Sequence, residues 1–226
     1  MKNFYKLDGS EVQKIPIQEC GEEMADILRE NASIVVATEK DYSQIISFPF
    51  SSFLRKSVID KLSRAQKRLP EGIKFKILEG YRSIAVQKML FEERKERLAK
   101  KHPDWNEKRL NQETALFIAP WNNTPPHSTG GAFDLTLETD RGEELDMGTD
   151  LGKVYDDIFD DTCFTDAAVL QKARKNRQML ISVLAKEGFV NYPAEWWHWS
   201  YGDRYWALLS KRSHAIYGSA IVPTKE

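Results

Sequence analysis

Two short segments, far apart in the chain, constrain this sequence more than anything else in it. One is His127-Ser128-Thr129-Gly130-Gly131-Ala132-Phe133-Asp134; the other is Glu195-Trp196-Trp197-His198. They hold two of the four histidines, each with a carboxylate close by. A fold that uses both must bring them to one place. Two imidazoles and one carboxylate suit a catalytic zinc ion whose fourth position is left to water. The second carboxylate is then available as a base on that water.

The local pattern suggests which carboxylate does which task. Asp134 lies inside Ala132-Phe133-Asp134-Leu135-Thr136-Leu137, an alternating run that predicts a strand. A short aspartate on a rigid strand suits direct ligation. Glu195 precedes His198 by three positions, and on a flat strand those side chains point to opposite faces. For both to serve one site the strand must bulge or bend between them. The longer glutamate then reaches water rather than metal. The sequence therefore assigns His127, Asp134 and His198 to one zinc ion per chain, and Glu195 to base catalysis.

The pattern His-x-x-Gly-x-Ala-x-Asp followed by Glu-x-Trp-His resembles the D-alanyl-D-alanine dipeptidases of the VanX type. These are zinc peptidases related to D,D-carboxypeptidases and to the hedgehog domain. The resemblance spans about residues 70–205 and takes in Gly80-Tyr81-Arg82 and Met147-Gly148-Thr149. It implies that Arg82 faces the scissile carbonyl and stabilises the oxyanion, a task suited to a guanidinium with fixed donors and permanent charge. It also implies a small peptide substrate, D-Ala-D-Ala or a similar wall-derived dipeptide. Two departures stand out. Gly152 occupies the position where the family carries the aspartate that binds the substrate ammonium, with Asp150 nearby, and Pro125 and Pro126 replace the serines that precede the metal histidine. They imply weaker discrimination for a free amino terminus. The competing expectations are a related D,D-carboxypeptidase or wall-peptide endopeptidase, and a zinc-binding domain without activity. The presence of both Glu195 and Arg82 argues against the last, since binding alone needs neither.

Composition narrows the class. At 226 residues with a formal net charge of −1, the chain suits one domain, 1–226, and offers no basic surface for nucleic acid. No stretch is apolar for long enough to span a bilayer. The first residues show no apolar signal core, so a cytoplasmic location is expected. The two cysteines, Cys20 and Cys163, form neither a metal pair nor a disulfide framework. His102 and His214 read as residues without a role in the site.

Apolar spacing predicts helices over 21–31, 54–69, 83–102, 104–118 and 166–187, with Ser83 as an N-cap. Strands are predicted at 33–37, 73–78, 132–137, 189–192 and 195–201, with a hairpin over 135–145. Aromatic residues Tyr42, Phe48, Phe50 and Phe53 fall in or beside an irregular stretch over 41–52, and an acidic segment over 146–161 reads as a loop near the site rim. The fold class expected is α+β, a small and mainly antiparallel sheet with flanking helices.

Overall fold

The computed structural model describes residues 4–37, 51–149, 151 and 160–222. In chain order the elements are α1 (Ser10–Gln13), β1 (Met24–Asp26), α2 (Ile27–Glu30), β2 (Val35–Val36), β3 (Phe53–Arg55), α3 (Lys56–Gln66), β4 (Ile73–Glu79), α4 (Ile84–Lys101), α5 (Glu107–Ala115), β5 (Ala132–Thr139), α6 (Gln171–Lys186), β6 (Val190–Tyr192), β7 (Glu195–Ser200) and α7 (Arg204–Leu209). The main sheet has the order β2-β4-β5-β7-β6. Its β2–β4 pair is parallel and the others are antiparallel. This is the expected α+β architecture. None of the helices described is long and apolar enough to cross a membrane.

The sheet is two-faced because its central strand alternates. On β5, Phe133, Leu135 and Leu137 are fully buried and join the core, while Asp134, Thr136 and Glu138 take the other face. Val58, Ile59, Leu62 and Ala65 of α3, with Leu180, Val183 and Leu184 of α6, supply the helical half of that core. Phe75 and Ile77 of β4 and Trp199 of β7 complete it from the sheet.

Two irregularities matter more for the site than the regular pairing does. On β4 the register passes from Ile77 opposite Leu135 directly to Glu79 opposite Asp134. Leu78 is the extra residue of this bulge and is fully buried in the core. In a regular ladder Leu78 would stand beside Asp134; the bulge puts Glu79 there instead. On the other side, Asp134 pairs with His198. Glu79, Asp134 and His198 therefore form one row across three strands.

Several expected boundaries move. The helix over 21–31 is replaced by β1 and the single turn of α2. Met24 pairs with Arg55 in a small second sheet, and the Asp26 carboxylate starts the turn by accepting the Leu28 N–H at 3.1 Å. Ile27 is fully buried, but Leu28 is 55% exposed, so the apolar spacing there does not mark a packed helical face. The helix expected from 54 starts at Lys56, because Phe53–Arg55 is recruited as β3. The helix expected from 166 starts at Gln171. Ahead of it, the buried Arg177 draws the carbonyls of Phe164 and Thr162 across α6 at 2.7 and 2.6 Å. Ser83 caps α4 as expected, accepting the Val86 N–H. The hairpin after β5 is short: Leu145 N–H bonds back to the Leu137 carbonyl at 2.8 Å, and Glu138 bridges Glu144. Tyr42, Phe48 and Phe50 lie outside the described residues.

Phe75 is fully enclosed between the sheet and α3. Phe75→Ala is expected to cost about 3–5 kcal/mol of unfolding free energy, the loss of a large core side chain plus its residual cavity. Urea titration followed by circular dichroism measures this directly.

Candidate active site

His127 reaches the site on a short 3-10 turn, Pro126–Thr129, that its neighbours build. The Pro125 carbonyl accepts both the Ser128 N–H and its hydroxyl, and the Pro126 carbonyl accepts the Thr129 hydroxyl. The prolines thus serve the turn that carries the ligand. Gly130 then takes φ 70°, and a Cβ on Gly131 would overlap the Tyr201 carbonyl oxygen. The two glycines let the chain pass from the turn into β5 against β7.

His127, Asp134 and His198 come together as the sequence requires, with one ligand atom from each lying within 4.8 Å of the others. His127 Nε2 is 3.1 Å from His198 Nδ1, and Asp134 Oδ1 is 2.9 Å from His198 Nδ1 and 3.4 Å from His127 Nε2. The Gly80 carbonyl lies 2.8 Å from His127 Nδ1. A proton held on Nδ1 by that carbonyl would leave the Nε2 lone pair for a metal once the ring is neutral. Three atoms able to ligate a metal thus converge in a buried place, an arrangement that could hold a cation between them. The donor set, two imidazoles and a carboxylate, fits that of a catalytic zinc site.

Electrostatics agrees with ligation. Burial pushes Asp134 upward, but His127 and His198 outweigh it and hold the carboxyl far below the ordinary range. Burial lowers the His198 pKa against the pull of Asp134, which favours the neutral ring that ligation needs. At His127 the balance reverses: burial lowers its pKa, yet Asp134 lifts it above the usual value.

Glu195 stands on the same side of the sheet as His198, its Oε2 3.9 Å from His198 Nδ1. The bend that the three-residue spacing demands is present: the β6–β7 register shifts between Asn191 and Tyr192. Burial, then the nearby Asp134 charge, raise the Glu195 pKa well above the ordinary carboxylate value, while Arg82 and Arg94 pull it down. A carboxylate lifted in this way is a better proton acceptor in the neutral range.

Arg82 lies just beyond the end of β4, and its backbone N–H donates to the His127 carbonyl at 3.1 Å. Its side chain is clamped. Nε donates to Glu79 Oε1 at 2.6 Å, Nη2 donates to Glu79 Oε2, and Nη1 donates to Gln87 Oε1 at 2.9 Å. Burial opposes the charge, but Glu79, and beyond it Asp134 and Glu195, raise its pKa further. Glu79 and Gln87 are the functional partners that sequence reasoning missed. Glu79 sits one residue beyond the predicted strand, and only the Leu78 bulge turns it toward the site. Gln87 lies one turn into α4, a spacing that carries no signal of its own.

The Met147-Gly148-Thr149 segment is tied to the same strand. Thr149 Oγ1 accepts the Trp196 indole N–H and an Arg177 N–H, each at 3.0 Å. Trp196, Trp197 and Trp199 are all buried, packing behind His198. Asp150 and Gly152 lie outside the described residues. His102 stacks on Trp105 at 3.9 Å between ring centroids, apart from the metal ligands. Among the described residues Cys20 and Cys163 are free thiols, one exposed and one buried.

Fold and site together define a peptidase with a single zinc centre. Residues 51–216 match the peptidase family described as D-ala-D-ala dipeptidase. A D-alanyl-D-alanine dipeptidase of Synechocystis sp. is 27% identical over 226 aligned residues, covering 88% of this chain and 90% of that protein. One from Escherichia coli is 36% identical over 72 residues, 32% of this chain and 35% of its own length. Among solved structures, VanYB in complex with D-Alanine-D-Alanine is 13% identical with a TM-score of 0.45, covering 80% of this chain and 94% of that one. The chain belongs to the D-ala-D-ala dipeptidase family of peptidases.

The purified protein is expected to bind one zinc per chain, and His127→Ala, Asp134→Ala and His198→Ala each to lose it, as read by elemental analysis after dialysis. Metal must displace a proton from His127, whose pKa is raised, so zinc affinity should fall as pH is lowered below neutrality. Chelator competition across pH checks the sign. An affinity that does not change would contradict it.

Proposed function

We propose that this protein hydrolyses D-Ala-D-Ala, or a closely similar dipeptide derived from the cell wall, with Glu195 as the general base and Arg82 as the oxyanion donor. The observation that carries this reading is the placement of a buried, high-pKa glutamate beside the three-ligand cluster, with a clamped guanidinium in the same electrostatic field. The name shared by the relatives above supports the substrate.

His127, Asp134 and His198 would hold the zinc ion, which when bound supplies the Lewis acidity that makes a water molecule reactive near neutral pH. Glu195 takes one proton from the attacking water as its oxygen adds to the peptide carbonyl carbon. Negative charge then grows on the carbonyl oxygen. Arg82 meets it with a guanidinium whose plane Glu79 and Gln87 fix in advance, so no reorientation is needed as the charge develops. Glu195 next delivers its proton to the leaving nitrogen, the C–N bond breaks, and two D-alanines result. Burial of Glu195 itself sustains its raised pKa.

Chromatographic detection of alanine released from D-Ala-D-Ala tests the substrate directly. A protein that cleaves only longer, N-acylated peptides ending in D-Ala-D-Ala would be a D,D-carboxypeptidase instead. Glu195→Gln should keep its zinc and lose nearly all turnover, because an amide cannot accept the proton. Arg82→Ala should lower kcat by about 10²–10³, the size found for an oxyanion donor. A change confined to KM would instead make Arg82 a uniform binding group.

A further inference from the structure

Strand β7 does not run flat past β6. Asn191 pairs with Trp199, yet the next residue, Tyr192, pairs with Glu195. One step along β6 therefore spans four along β7, and Trp196, Trp197 and His198 form the bend between. The side-chain amide of Asn191 sits inside that bend. Its Nδ2 donates toward the carbonyl oxygens of Glu195, Trp196 and His198 at 3.1, 3.3 and 2.9 Å. On a flat strand the carbonyls of adjacent residues point to opposite sides, so one nitrogen could not reach both Glu195 and Trp196. The amide thus fills the place that a neighbouring strand's N–H groups would hold in a regular ladder. At its other end the Thr165 hydroxyl donates to Asn191 Oδ1 at 2.5 Å. The three carbonyls, which can only accept, fix which end of the amide carries the donors.

We propose that Asn191 is a positioning residue that holds the β7 bend in shape and so keeps Glu195 and His198 on one side of the sheet. The inference rests on the reading of Glu195 as the base. The two residues depend on Asn191 unequally. His198 is also held by its pairing with Asp134 on the central strand. Glu195 is at the start of β7 and, among the described residues, is paired with Tyr192 of the sheet's outer strand alone. Without the amide, the two carbonyls at the start of the bend lose their common donor, and the glutamate is the side chain that shifts.

The test compares Asn191→Ala, Asn191→Asp and Thr165→Val with wild type and with Glu195→Gln, measuring kcat and KM on D-Ala-D-Ala and zinc affinity by chelator competition. Asn191→Ala is expected to lower kcat by about ten- to a hundredfold, the scale of an ångström-sized misplacement of a catalytic group. KM and the zinc dissociation constant should each stay within about threefold, since the substrate contacts and the ligands are left in place. Asn191→Asp, of the same shape but presenting acceptors to three carbonyls, should do at least as much damage. Thr165→Val should cost several-fold in kcat alone. A folded, zinc-loaded Asn191→Ala with wild-type kcat would overturn the proposal. So would a loss of activity that follows loss of zinc or of folded protein in proportion. If neither Asn191 variant folds, Thr165→Val decides: reduced kcat at unchanged zinc affinity supports the proposal, and unchanged kcat overturns it. Wild-type turnover in Glu195→Gln would overturn the base assignment itself, and this inference with it. Inactive Glu195→Gln beside normal Asn191→Ala would overturn this inference alone.

Discussion

The pairing of Asp134 with His198 on adjacent central strands is the constraint from which the site follows. Directly opposed residues of an antiparallel pair carry their side chains on the same face, a few ångströms apart. That proximity sets the carboxylate against the imidazole without any help from loops. The same period-two alternation that aims Asp134 and His198 outward aims Phe133 and Trp199 into the core. A slip of one residue would turn Asp134 and His198 toward the apolar core and the aromatics toward the site. Core packing and the approach of Asp134 to His198 are thus set by one register.

Against this regular pair, the remaining chemistry is introduced by irregularity. The Leu78 bulge turns Glu79 into the row beside Asp134, and the β7 bend turns Glu195 to the side of His198. The result is a dense buried set of three carboxylates, two imidazoles and a guanidinium. Isolated charges in such a place would be costly. Here Glu79 and Arg82 neutralise each other through a two-pronged pair, and Asp134 is compensated by His127 and His198. At Glu195 burial and the nearby Asp134 charge outweigh the pull of Arg82 and Arg94, and its pKa rises.

Much of this was legible in the sequence. His127, Asp134 and His198 stood out because histidine is scarce here and each of the two histidines comes with a nearby carboxylate. The demand for a bend between Glu195 and His198 followed from strand geometry. Strands β4, β5 and β7 alternate or carry aromatics clearly enough to be placed, and α3 shows an unbroken apolar stripe. What the sequence hid was cooperative. Met24–Asp26 is a strand only because Phe53–Arg55 is there to pair with it, and no local signal in residues 21–31 reports a partner so far along the chain. Glu79 and Gln87 act through Arg82, and Glu79 faces it only through a bulge whose extra residue is an ordinary leucine. Side chains that act through other side chains leave no pattern of period two or 3.6.

The central claim is that two imidazoles and one carboxylate from β5, β7 and the turn before β5 hold the metal. X-ray absorption at the zinc edge of the loaded wild-type protein tests it most directly. The account predicts a first shell of nitrogen and oxygen donors alone, at about 2.0–2.2 Å, with multiple-scattering features of two imidazoles. A sulfur shell at about 2.3 Å would place a cysteine on the metal and contradict it. So would a spectrum with a single imidazole.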